Sequence, residues 1–221
     1  MNDWKSEAIR LRESGYRIAE IAERVGVARS SVSTCVRNVV LSDEYKLKIE
    51  EGRKESRRMA GDKNRETWKK RRLISQEDGR CKSQGCSQLY LIGCMLYWAE
   101  GTKNRSSLQF TNSDPVMMSV FMRFIRDEMM IPNEKVRVLI QCYTDFHNRR
   151  EIEDYWLNLL GLGRHSLMKT RENPYTKMST GSRCSLEYGT CRIQVNDQSV
   201  LQRIYGSIQE FCGEEKEMWA E

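Results

Sequence analysis

Two hundred and twenty-one residues, 31% of them charged, leave room for one small domain and one of ordinary size. A formal net charge of +6 points to a polyanionic partner, and no apolar run is long enough to cross a bilayer. No charged-then-apolar leader opens the chain, so it reads as a cytoplasmic protein without a membrane partner. The eight cysteines are scattered, as small buried hydrophobes of a reducing compartment would be. Cys81 and Cys86 with Cys184 and Cys191 are conceivable zinc ligands, but neither spacing is the two-residue knuckle usual at such sites.

Lys5 to Glu13 has the pattern of a helix that closes at Ser14-Gly15. Tyr16 to Arg37, YRIAEIAERVGVARSSVSTCVR, then places Ile18, Ile21, Ala22 and Val25 on one helical face. Gly26 breaks that helix, and Val27 begins a turn into a second one with Val32 and Val36 buried at i, i+4. Ala22 is small where the two helices must cross. The second helix carries Arg29, Ser30, Ser31, Ser33, Thr34 and Arg37, donors that reach base edges and phosphates in a major groove. An ordinary helical hairpin with solvated serines is the bland alternative. The register of Ala22 and Gly26 with the apolar positions favours DNA reading. The segment resembles the resolvase-type helix-turn-helix family, which implies double-stranded DNA as partner. Ala28 stands where that family more usually has a Ser or Thr N-cap.

Arg53 to Arg72 holds ten Lys or Arg against three acids, a net of +7 that exceeds the charge of the whole chain. Few apolar residues are present, so the stretch is expected to be a solvated helix or a flexible connector. Following a DNA-reading module, it reads as a phosphate-tracking arm, with Lys69, Lys70, Arg71 and Arg72 as DNA-binding candidates.

From Leu89 the character changes. LYLIGCMLYWAEGTK is apolar on every side and ends at Glu100-Gly101, which predicts a helix buried all round, with Gly93 and Cys94 allowing close approach of a second helix. Ser107 to Thr111 is strand-like, and Ser113-Asp114-Pro115 is a helix start ahead of a helical period over 116–130. Residues 135–143 alternate as a strand, and 152–160 are helical up to Gly161. Strands are expected at 166–170 and 190–195, and a last helix over about 199–211. Trp98, Tyr155 and Trp156 lie at helical spacing among Leu and Ile and read as core, while His147 and His165 have no partner at ligand spacing.

LIGCMLYWAEG, followed by TK and a strand, resembles the signature helix of the LAGLIDADG homing-endonuclease fold. In that fold two such helices pack side by side, each ending in an acid that reaches a divalent cation, while sheets grip the DNA. The resemblance implies that Glu100 holds the acid position, Gly101 the closing glycine and Gly93 to Ala99 the packing face. It makes Glu100 the candidate metal ligand and Glu100 with Lys103 the candidate catalytic pair, with Mg²⁺ as cofactor if the protein is a nuclease. YGSIQEFCG (205–213) has a similar glycine spacing but carries Cys212 in place of the acid, so a single motif implies a homodimer.

The expected architecture is α+β: a three-helix helix-turn-helix over 1–41, a basic helical linker over 42–86, a mixed α/β LAGLIDADG-like domain over 87–213, and a tail over 214–221. Two functions fit it. One is a sequence-specific DNA-binding regulator associated with the nucleoid, whose second domain supplies grip and dimerisation. The other is a Mg²⁺-dependent homodimeric homing-type endonuclease. Only the second needs Glu100.

Overall fold

The computed structural model describes residues 3–41, 43–104, 106–143, 147–172, 186–216 and 219. The chain forms two compact units, residues 1–67 and 68–221. Their boundary falls within the stretch expected to be a linker, inside helix α4 (Asp43–Ser83). Between a solvated helix and a flexible connector, the structure takes the helix. Exposed i, i+3 and i, i+4 pairs line it: Asp43–Lys46 (2.8 Å), Glu50–Lys54 (3.5 Å), Glu55–Arg58 (2.8 Å) and Asp62–Arg65 (3.6 Å). Such pairs are individually weak, yet they give a polar helix local support along its length.

The first unit packs α1 (Asp3–Glu13), α2 (Ile18–Val25) and α3 (Arg29–Cys35) around Ala8, Leu11, Ile21, Ala22, Val32 and Val36. The first half of α4 belongs to the same unit. Its Tyr45 ring lies so close to Gly15 that a Cβ there would meet Tyr45 Cδ1 at 2.3 Å.

The second unit is built on a four-stranded sheet, β1 (Leu108–Asn112), β2 (Val136–Cys142), β3 (Arg171–Glu172) and β4 (Thr190–Val195), in the order β1-β4-β2-β3. Strand β4 is antiparallel to both neighbours, whereas β3 runs parallel to β2. Period-two alternation sends Phe110, Val138, Ile193 and Val195 inward to a core shared with α5 (Gln88–Glu100), α6 (Pro115–Arg123), α7 (Arg149–Leu160) and α8 (Gln198–Cys212). Asp114 caps α6 as expected, accepting from the Val116 and Met117 amides at 2.8 and 3.0 Å, with Pro115 at the first position.

One expectation is refined here and two fail. The helix expected over 116–130 ends its α-helical part at Arg123 and continues as a π-helical turn, Phe124–Glu128. That turn sets the buried Phe124 ring against Gly93, where a Cβ would lie 2.1 Å from Phe124 Cγ. The strand expected at 166–170 is absent. Arg164–Ser166 form a 3₁₀ turn, Leu167 makes one isolated bridge to Val138, and regular pairing begins only at Arg171. Finally, α5 is not buried all round. Tyr90, Gly93, Cys94 and Tyr97 face the core, while Leu91, Ile92 and Trp98 are about 40% exposed. Gly93 therefore serves packing within the unit, and the side of α5 left open is the opposite, bulky one.

The last turns of α4 pack on α8 through glycines on both helices. A Cβ at Gly206 would lie 1.9 Å from the Gln76 carbonyl oxygen, and one at Gly79 would lie 2.0 Å from that of Arg203. At this crossing Ser207 Oγ donates to Gly79 O (2.8 Å) and bonds Tyr90 Oη (2.8 Å), while Gln76 Nε2 donates to Gln202 Oε1 (2.6 Å).

Candidate nucleic-acid interface

Helix α2 ends because Gly26 adopts a left-handed conformation, φ 67 and ψ 30, and its amide donates to Ala22 O. No atom lies within 4 Å of where a Gly26 Cβ would sit, so the glycine is set by backbone angle and not by space. Val27 N also donates to Ala22 O (3.1 Å), which fixes the turn that launches α3. Ala28 supplies no side-chain cap, as its type dictates.

Val32 is fully buried beneath α3, while Arg29, Ser30, Ser31, Ser33 and Thr34 are all exposed on it. Thr34 Oγ1 folds back to Ser30 O at 3.0 Å, a common habit of helical threonine. Arg37 is exposed too, but α3 stops at Cys35, so Arg37 lies in the following turn and not on the helix. α3 itself has no acidic residue. Its surface therefore offers hydroxyl and guanidinium donors with nothing to repel a phosphate.

On α4 the cations Arg53, Lys54, Arg57, Arg58, Lys63 and Arg65 are exposed in the first unit. In the second unit Lys69, Lys70 and Arg71 are exposed, with the Arg71 guanidinium stacked over Trp68 at 4.9 Å. Arg72 departs from expectation: it is 7% exposed and engaged within the protein, which removes it from the phosphate-facing set.

Glu100 is the exposed last residue of α5. Lys103, expected beside it as a possible phosphate stabiliser, instead donates to Tyr97 O (3.1 Å), Trp98 O (2.6 Å) and Gly101 O (2.7 Å). Its ammonium thus satisfies the open carbonyls at the α5 C-terminus. Desolvation draws this lysine below its ordinary range, with the Glu100 charge opposing. Hard divalent cations take six or more oxygens. Mg²⁺ draws most of that shell from water and substrate phosphates and takes one or two protein carboxylates. Glu100 is one such carboxylate, and among the described residues no three His, Cys, Asp or Glu converge on one point.

The other candidates resolve as structure. Trp156 is fully buried and its indole donates to Tyr188 O at 2.8 Å, while Tyr155 stacks on Tyr188 at 3.8 Å. His147 bonds Glu187 at 2.8 Å and stacks on Tyr188 at 4.7 Å. Of the cysteines weighed for zinc, Cys184 lies outside the described residues, Cys191 is buried in β4 and Cys81 is exposed on α4.

One surface was missed by sequence reasoning. The sheet positions that alternate with the core-facing ones form cross-strand rows, Gln109–Gln194–Arg137 and Thr111–Arg192–Leu139, in which Leu139 is buried and the others are half-buried. Arg192 Nε donates to Thr111 Oγ1 at 3.0 Å. Strands β1, β2 and β4 contain no acidic residue. The alternation of TCRIQV carried this signal, since its apolar positions point inward and its Thr, Arg and Gln point out.

A family model described as the helix-turn-helix domain of resolvase matches residues 1–32. The chain has no match among curated proteins. It has none among solved structures. Residues 1–32 thus form a DNA-binding helix-turn-helix of the resolvase type, and the partner that this class of module implies is double-stranded DNA. No helix of the described residues is long and apolar enough to cross a membrane.

Proposed function

We propose that this chain is a sequence-specific double-stranded DNA-binding protein with a regulatory role on the cytoplasmic nucleoid. The observation that carries it is α3, whose exposed residues are Arg29, Ser30, Ser31, Ser33 and Thr34, with no acid among them. They stand on a helix-turn-helix whose turn geometry and family match agree. The second unit is read as LAGLIDADG-like. The acid-free strands β1, β2 and β4 support a role in gripping DNA, and the exposed Leu91, Ile92 and Trp98 of α5 support homodimerisation through that helix.

The nuclease reading is kept for one reason: Glu100 is exposed at the end of that same helix. Two copies joined through α5 would bring two such acids toward one axis, which is the arrangement a Mg²⁺ site would need. Within one chain Glu100 is a lone carboxylate, so Mg²⁺ held there would take its other oxygens from water, DNA phosphate and the second copy's acid.

Incubating the protein with source genomic DNA, with Mg²⁺ or with EDTA, and sequencing both bound fragments and new ends separates the readings. Enriched fragments without new ends, unaffected by Glu100→Gln, are expected. Discrete Mg²⁺-dependent ends that vanish in Glu100→Gln would replace regulation with cleavage. Arg29→Ala is expected to relax base preference, costing about 1–3 kcal/mol at one base pair. An unchanged preference would unseat α3 as the reading helix.

A further inference from the structure

We propose that the first unit carries a phosphate-clamping cleft, separate from the reading helix, in which Arg12 of α1 and Arg53 and Arg57 of α4 hold the DNA backbone. The inference rests on the DNA-binding reading of this unit and assigns it a second contact surface.

Lys46, Ile49, Glu50, Arg53, Lys54 and Arg57 recur at helical spacing on α4, forming one stripe. Together with Arg12 and Leu41 this stripe lines an open cleft of 360 Å³. Ile49 and Leu41 are its buried apolar members, at 9% exposure each. Five cations and a single acid face the space.

Carboxylates account for only two of those cations. Lys46 pairs with Asp43 at 2.8 Å and Lys54 with Glu50 at 3.5 Å, both along α4 itself. Among the described residues, Arg53 and Arg57 make no ion pair and Arg12 has only the carbonyl of Tyr16, to which it donates at 2.9 Å. That bond pins the Arg12 guanidinium at the cleft wall. Desolvation, and then the nearby Arg53 charge, pull Arg12 below the ordinary arginine range. The fold thus holds like charges together and leaves their repulsion unrelieved. An anion placed between them removes that cost, which is what preorganisation for a phosphate means.

Geometry fits a polymer better than a free ion. Arg53 and Arg57 are one turn apart, about 6 Å along the axis, so they present two donors in a row instead of a closed cage. The cleft is open on one side, as a continuous backbone requires. Guanidinium groups also match phosphate bidentately, which lysine does not.

The test uses the full chain, a duplex selected as its site and an unrelated duplex of equal length, with binding measured across salt concentrations. Arg53→Gln/Arg57→Gln is expected to weaken both duplexes equally and to flatten the salt slope by about two, making affinity about tenfold less sensitive between 50 and 200 mM salt. The affinity ratio between duplexes stays as in wild type, and thermal stability does not fall, because two repelling charges are gone. Arg53→Lys/Arg57→Lys restores most of the slope. A wild-type slope in the glutamine variant overturns the cleft. Inorganic phosphate at matched ionic strength distinguishes the source: stabilisation of wild type by phosphate, with no change of duplex slope in the variant, makes it a free-phosphate site and overturns the DNA clamp. If the wild-type chain binds neither duplex, the DNA-binding reading fails first and the clamp falls with it.

Discussion

Gly206→Ala tests the architecture of the second unit most sharply, because helix propensity and packing pull in opposite directions. Gly206 is in the middle of α8, where alanine is intrinsically better by about 1 kcal/mol. Its new methyl would lie 1.9 Å from Gln76 O, a backbone atom that cannot swing aside. Reaching even a tight contact needs the two helices to part by about 1 Å, and overpacking of that kind costs about 1–3 kcal/mol. Parting also strains the buried Ser207–Gly79 and Gln76–Gln202 hydrogen bonds, 2.8 and 2.6 Å long, each worth about 1 kcal/mol. The net is a loss of about 2–4 kcal/mol, or about 5–15 °C in the melting of the second unit. Gly61→Ala is the control on α4, since no atom lies within 4 Å of its Cβ position, and it is expected to hold or raise stability. Melting followed by far-UV circular dichroism reads both. A Gly206→Ala protein that melts at or above wild type would refute the close crossing of α4 and α8.

Gly26→Ala places a Cβ at φ 67 and is expected to cost about 1–2 kcal/mol in urea denaturation of the first unit, with DNA affinity falling in step; an unchanged midpoint would contradict the left-handed turn. Trp98→Glu on the open face of α5 is expected to convert a dimer to a monomer in light scattering while leaving the melting temperature nearly unchanged, and a monomeric wild type would dismiss that face as the contact. Alkaline pH is expected to destabilise the second unit. Burial pushes Tyr90, Cys94 and Tyr205 each up to about 12, from ordinary values of 9.0 for Cys and 10.0 for Tyr. The unfolded chain therefore loses these protons first. Their contribution is intact below about pH 9 and declines as pH climbs from there toward 12, so a melting temperature flat to pH 11 would refute the burial of these groups.

The parts of the fold that local chemistry decides were legible in the sequence. Gly26 and Ala22 announced the helix-turn-helix, Asp114-Pro115 announced a helix start, and Gly161, left-handed at φ 62, announced the end of α7. The alternation of β4 gave its bounds without error. What escaped depends on distant partners. A run as uniformly apolar as LYLIGCMLYWAE carries no periodicity, so nothing in it says that Leu91, Ile92 and Trp98 turn outward while Gly93 receives the Phe124 ring. Gly79 sits among charged residues in the stretch expected to be a linker, with no local pattern to mark it. Only the presence of Arg203 across from it shows why a side chain is excluded. Arg72 likewise looks like its neighbours Lys70 and Arg71 in sequence, and burial alone separates it from them.

The distribution of charge separates reading DNA from holding it. Residues 53–72 carry +7 of a chain total of +6, which leaves everything else at a net −1. Fields from exposed charges fade within about 10 Å at 0.1 M salt, so attraction to a phosphate backbone must act where α4 is. The reading surface of α3 brings one arginine, Arg29, with Arg37 in the turn beyond, and its remaining donors are neutral hydroxyls that add little to a salt slope. Substitutions on α3 should therefore change which duplex is chosen while leaving the slope within about one unit of wild type. Substitutions on α4 should do the reverse. If both sets moved preference and slope together, reading and holding would be one surface, and the separate clamp at Arg12, Arg53 and Arg57 would have no work left to explain.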